Sequence, residues 1–274
     1  MPFSRTLLLG VLLSLGLGVL SPPAPAQTSR TITRSFSLDR DGHVELDTFT
    51  GSIEVTAGEQ GRVEVKARID GEEADLVDAT RLRFDVDDER LFVEVDYEEV
   101  EDRQEFLGLF SIGDVDRPDV HLTITMPRTA ALTIDDFNSE VKVEGLRADV
   151  TLETFSSTMT LRDVEGALDL ETFSGEVKGE GLRGRLQLET FSGDARLQFG
   201  TLTGDSHLET FSGDIELALP AEASFELVGE DDAFGDLDSE FALRVEDGRR
   251  VVGSGGPRIE IDTFSGELRL RKQD

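Results

Sequence analysis

The chain has 274 residues, with 58 acidic and 27 basic side chains, three His, no Cys and no Trp. So acidic a balance argues against nucleic acid or anionic lipid as a partner, because both demand a basic surface. The lack of Cys excludes disulfides, thiol catalysis and Cys-ligated metal centres, while 38% hydrophobic residues is too many for a fully disordered acidic chain.

Residues 1–26 read as a secretory signal peptide. Arg5 is their only charge, Leu7 to Leu20 is an apolar run, and Ala24-Pro25-Ala26 supplies small residues for cleavage. The run is shorter than the ~20 residues a spanning helix needs. No Cys follows it, which excludes a lipoprotein anchor. The expected mature domain is residues 27–274, with 248 residues and a net charge of −32. It is expected in the periplasm, at the cell surface or outside the cell, with no transmembrane segment after signal removal.

Apolar and charged residues alternate over 61–69 and 82–96, as in Val63-Glu64-Val65, and predict strands. A short helix is expected within 72–81. Residues 100–118 read as a loop carrying the apolar cluster Phe106-Leu107-Gly108-Leu109-Phe110. Val120 to Met126 returns to strand, and Pro127 closes it.

A repeat governs the centre of the chain. Glu153-Thr154-Phe155-Ser156-Ser157 recurs at Glu171-Thr172-Phe173-Ser174-Gly175, Glu189-Thr190-Phe191-Ser192-Gly193 and Glu209-Thr210-Phe211-Ser212-Gly213. Variants stand at Asp47-Thr48-Phe49-Thr50-Gly51, Asp135-Asp136-Phe137-Asn138-Ser139 and Asp262-Thr263-Phe264-Ser265-Gly266. From Phe137 to Phe211 the Phe spacings are 18, 18, 18 and 20 residues. A fixed period near 20 marks a stacked-repeat architecture. Apolar pairs such as Leu168/Leu170 and Val141/Val143 flank each phrase with period two, so each unit reads as strand, turn, strand, turn. One such unit cannot bury a core, but stacked rungs about 4.8 Å apart can. The expected fold is an all-β, single-domain β-solenoid, β-helix-like, of ~18-residue rungs. Its regular repeats cover about 129–219. Pro220 to Gly256 reads as a less regular hairpin region. A closing rung over 258–271 is expected to cap the open edge. The turn glycines imply either positive φ or close packing between rungs, and Ser139 and Ser157 at the same position speak against a strict need for positive φ.

The signal peptide, the early Phe49-Thr50-Gly51-Ser52-Ile53 unit, the central Ser-Gly repeats and the closing Gly255-Gly256-Pro257 before Ile259-Glu260-Ile261 and Ser265-Gly266-Glu267-Leu268 belong together. With these features the chain resembles the bacterial putative-adhesin family of β-strand-repeat proteins of unknown function, over about residues 31–272. The resemblance implies a β-solenoid with an envelope or surface role and no established activity.

The candidate site is the repeat ladder Phe49, Phe137, Phe155, Phe173, Phe191, Phe211 and Phe264. Two orientations are open. An interior aromatic ladder would stabilise the stack. An exposed stripe would bind a sugar or a protein. Strict alternation from Leu168 and Leu170 puts Thr172 inside and Phe173 outside; a bend at 172–174 would reverse that. One acid ladder runs through Asp135, Glu153, Glu171, Glu189 and Glu209, and a partial one through Glu140, Glu176, Asp194, Asp214 and Glu267. Both read as solvated faces, and the sequence lacks the calcium-binding loop patterns. With Lys only at Lys66, Lys142, Lys178 and Lys272, the acidity also fits adaptation to high salt. His43, His121 and His207 read as ordinary strand residues. No catalytic motif or cofactor site is present, so no catalytic, metal or cofactor-binding residue is assigned. The expectation is a non-enzymatic, exported, adhesin-like protein. It would bind envelope polysaccharide or protein through its repeat surface or the 100–118 loop. The alternative is a carbohydrate-active β-helix enzyme of the envelope, and a third possibility is end-to-end self-assembly.

Overall fold

The computed structural model describes residues 27–101, 117–229 and 237–273. Residues 1–26, read from sequence as a signal peptide, and the Phe106 to Phe110 cluster lie outside the described residues. The protein is all-β. It opens with β1 (Thr28–Ser37), β2 (His43–Gly58) and β3 (Arg62–Gly71), then a helical turn pair α1 (Ala74–Ala79), β4 (Arg81–Val86), β5 (Arg90–Asp96) and β6 (Asp119–Pro127). The repeats form β7 (Ala131–Glu144), β8 (Val150–Thr154), β9 (Thr158–Arg162), β10 (Glu165–Thr172), β11 (Val177–Thr190), β12 (Ala195–Leu202), β13 (Ser206–Ser212) and β14 (Ile215–Pro220). The chain ends in β15 (Phe225–Val228), β16 (Leu237–Ser239), β17 (Arg244–Glu246), β18 (Arg249–Val252), β19 (Arg258–Ser265) and β20 (Leu268–Gln273).

Two parallel ladders run the length of the stack, one on each side of the Phe phrase. Before the phrase, Val93, Leu46, Ile134, Leu152, Leu170, Leu188, Leu208 and Ile261 pair in succession. After it, Ile53, Val141, Met159, Val177, Ala195, Ile215 and Leu268 do the same. All of these side chains are buried. Period-two alternation sends Leu, Ile and Val inward from both ladders, so each rung buries its apolar residues against its own second strand and against the rungs on either side. Burial of each such side chain contributes about 1.5–3 kcal/mol.

The stacking order departs from the chain order at both ends. The β2 rung lies directly on β7, although 88 residues separate Phe49 from Phe137. On its far side β2 pairs with β5 and β6, and antiparallel partners β4, β3 and β1 extend that end. At the other end β19 and β20 pair directly with β13 and β14. The closing rung is therefore not the cap. Residues from the irregular region cover it: β15 pairs outside β19 and β16 outside β20, and β18 and β17 continue antiparallel from β15. Antiparallel hairpins can end a parallel stack because their connections are short, and they leave less unpaired edge.

Two details of the turn phrase were open from sequence. A Cβ at Gly193 would lie 2.1 Å from the Gly175 carbonyl oxygen, and one at Gly213 would lie 2.2 Å from that of Gly193. Neither residue has a positive φ. At these two positions close approach between rungs is what requires glycine; Gly51 and Gly175, at the same place in their units, combine close approach with positive φ, +126° and +157°. The two Ser exceptions have a separate cause. Asp136 replaces the Thr of the other rungs and is buried. Ser139 Oγ and Ser157 Oγ each donate to its carboxylate at 2.6 Å, and Thr48 Oγ1 donates at 2.8 Å.

Candidate functional site: an exposed phenylalanine ladder beside an acid rail

Each copy of the phrase places an acid and a Phe two residues apart on the outer surface, with an inward residue between them, Asp136 in one copy and Thr in the others. Thr172, Thr190 and Thr210 are buried. Phe137, Phe155, Phe173, Phe191 and Phe211 are 42–47% exposed, and Phe264 is 78% exposed. The ladder is on the surface. The chain bends at Phe155–Ser156, Phe173–Ser174 and Phe191–Ser192, but the bend leaves the rings outside, and the interior arrangement is not adopted.

Parallel in-register pairing fixes the rings one above another. From Phe49 to Phe264 the seven rings stack with centroids 4.6–5.0 Å apart and planes within 6° of parallel. The spacing is that of neighbouring strands. The stripe is about 29 Å long from its first ring to its last. Inner rings have neighbours stacked against both faces, so they turn mainly their edges to solvent. At the β2 end, the Arg117 guanidinium lies 4.2 Å from the Phe49 centroid, and Tyr97 meets the same ring edge-on.

Alongside runs the acid rail, Asp47, Asp135, Glu153, Glu171, Glu189 and Glu209, and the two ladders enclose an open groove of about 810 Å³. Among the described residues, no Lys, Arg or His lies within ion-pair distance of the first five. Partial burial raises the carboxyl pKa of Asp47, with Glu94 and Asp135 adding to the effect. Burial does the same for Asp135, followed by Glu45. Glu153 is raised by burial, then by Asp135 and Asp169, and Glu171 by burial, then by Glu189 and Glu153. The acid ladder on the other side of the Phe stripe is electrostatically different. Glu176 contacts Lys178 and Arg196, both at 2.5 Å, and Asp214 contacts Arg269 at 2.9 Å. The hydrogen bond from Lys178 lowers the Glu176 pKa, and the backbone N–H of Glu267 lowers that of Asp214.

The histidines occupy strand positions with local partners. His43 Nε2 contacts Thr133 Oγ1 at 2.9 Å. His207 lies near the end of the rail, its Nδ1 3.8 Å from Glu260 and 4.0 Å from Asp262. The ligand atoms of these three residues lie within 4.8 Å of one another, a donor set that suits a divalent cation. His121 belongs to an arrangement that sequence reasoning missed. Its Nδ1 is 2.8 Å from Ser52 Oγ and its Nε2 is 3.3 Å from the buried carboxylate of Asp70. The three residues come from β2, β6 and β3, so no local motif announces them. At Ser52, β2 is paired on both sides, which commits its backbone N–H groups to the ladders and leaves none to form an oxyanion hole there. Asp70 also holds Arg68 at 2.9 Å.

These features define an all-β protein of in-register repeats that displays an aromatic stripe. Residues 113–271 match the model of the family described as Toastrack DUF4097, and the chain belongs to that family. Its solved neighbours include proteins described as adhesins. A putative cell adhesion protein from Clostridium sporogenes is 11% identical, with 89% of this chain and 100% of that chain covered and a TM-score of 0.40. A putative adhesin from Bacteroides fragilis is 12% identical, with coverages of 89% and 97% and a TM-score of 0.34. A putative lipid binding protein from Parabacteroides distasonis is 13% identical, with coverages of 88% and 97% and a TM-score of 0.38. No curated protein matches the chain. No helix among the described residues is long and apolar enough to cross a membrane.

Proposed function

We propose that the chain is an exported, non-enzymatic, adhesin-like β-solenoid of the cell envelope, with residues 1–26 as its signal peptide and 27–274 as its domain. It binds envelope polysaccharide or protein through the Phe ladder. The observation that carries this reading is the exposure of six of the seven stacked rings, Phe137 to Phe264, in one stripe. Aromatic side chains placed at the surface of a rigid sheet lose little entropy on binding and offer a large apolar contact. The in-register 18-residue pairing supports the solenoid. The test is retention of the purified protein on immobilised acidic and neutral polysaccharides and on envelope proteins. Phe155→Ser/Phe173→Ser/Phe191→Ser is expected to remain folded and lose retention. Unchanged retention would contradict the reading.

The Ser52, His121 and Asp70 contacts raise a second reading, an envelope hydrolase, against which stands the pairing of β2 on both sides at Ser52. Under the adhesin reading, incubation with the same polysaccharides gives no product. Turnover abolished by Ser52→Ala or His121→Ala would replace that reading with the hydrolase.

A further inference from the structure

The groove has two unlike walls. One is a continuous apolar edge of stacked Phe rings. The other is a row of carboxylates crowded at the strand spacing; among the described residues the first five have no Lys, Arg or His within ion-pair distance, and the last, Glu209, has His207 at 3.6 Å. Like charges opposed across neighbouring strands are unfavourable, and a cation laid along them relieves that repulsion. The inner rings turn mainly their edges outward, because neighbouring rings stack against both faces, so they offer little cation–π contact. A cationic partner must therefore be held by the carboxylates while its apolar part meets the rings. At the β2 end the chain supplies its own small example: Arg117 packs on the Phe49 ring and pairs with Glu101 at 2.6 Å.

From Phe49 to Phe211 the groove runs about 24 Å, the length of about seven residues of extended chain. An extended chain points successive side chains to opposite sides. Laid along the groove, it directs one set to the acids and the other to the rings. We propose that the groove binds an extended polypeptide segment that alternates basic and apolar side chains. The proposal rests on reading the Phe ladder as the contact surface, and it specifies the partner.

The probe is a fluorescein-labelled heptapeptide alternating Lys and Leu, with blocked ends, followed by anisotropy against the purified protein at about 0.15 M salt. Matched heptapeptides alternate Glu with Leu and Lys with Ser. The Lys–Leu peptide is expected to bind best of the three. Glu153→Gln/Glu171→Gln is expected to weaken it about tenfold, the effect of losing close charge pairs in a partly shielded groove. Glu140→Gln/Asp194→Asn removes two charges from the other acid ladder and is expected to weaken it no more than about twofold, as distant screened charges do. Equal weakening by the two double variants would mean that bulk acidity alone attracts the peptide, and would overturn the proposal. So would equal binding of the Lys–Leu and Glu–Leu peptides. Both acid variants are near-isosteric, so their folding is secure. If the Phe variants lose retention on the polysaccharide and protein panel while no peptide is preferred, the partner class fails and the contact surface stands. If the Phe variants keep that retention, the contact surface itself fails.

Discussion

Asp136 sits where the other rungs carry Thr, buried and holding three hydroxyl donors. Removing the acceptor leaves those donors without it in a largely buried site. Asp136→Ala is expected to lower stability by about 2–3 kcal/mol, read from urea unfolding. The inward Thr column behaves in the opposite sense toward the other end. Thr190, Thr210 and Thr263 have buried Oγ1 atoms with no hydrogen-bond partner among the described residues. Thr210→Val keeps the shape and removes a desolvated hydroxyl, so it is expected to raise stability by about 1 kcal/mol in the same experiment. The signal for the Asp136 cluster was present in the sequence, because the one Asp-for-Thr exchange and the two Ser-for-Gly exchanges fall in adjacent units. The pairing of Ser52, His121 and Asp70 had no such signal, since it depends on which strands become neighbours.

At the scale of the ladders, four acids of the rail and two of the opposite row respond to pH in opposite directions. Asp47, Asp135, Glu153 and Glu171 hold their protons more tightly in the folded chain than in the unfolded one. Their stabilising effect is fully present below the ordinary carboxylate range and is lost as pH rises through their raised values. Glu176 and Asp214 are lowered, so their contribution is present above that range and is lost as pH falls through the lowered values. Glu153→Gln/Glu171→Gln is therefore expected to raise the Tm by roughly 1–3 °C at pH 7. The gain should shrink as pH falls toward the ordinary carboxylate range. A gain that is constant across this pH range would show that repulsion along the rail is not its source.

For the molecule as a whole, the 18-residue period made the rungs and their buried residues readable, and strict alternation at Leu168, Leu170 and Thr172 already pointed Phe173 outward. An interior ladder was the competing arrangement because aromatic rings so often fill cores. Here the two strands of a rung come together over Leu, Val and Ile, and the small Thr occupies the corner instead. The order of stacking was less legible. A parallel rung can follow after any length of connection, so nothing local announces that Phe49 lies on Phe137, or that β19 stacks on β13 while β15 and β16 lie outside it. The exposure of Phe264 and the closure of Phe49 by Arg117 follow from that order.

The exposed aromatic stripe as a contact surface is tested most directly by comparing stability and retention in one set of variants. Phe173→Ser removes two stacked contacts and is expected to cost about 1–3 kcal/mol. A protein with this many intact rungs should remain folded by circular dichroism. Phe155→Ser/Phe173→Ser/Phe191→Ser, measured at a temperature where it is still folded, is predicted to lose retention on the immobilised polysaccharide and protein panel that holds the unaltered chain. Retention equal to that of the unaltered chain would contradict the account.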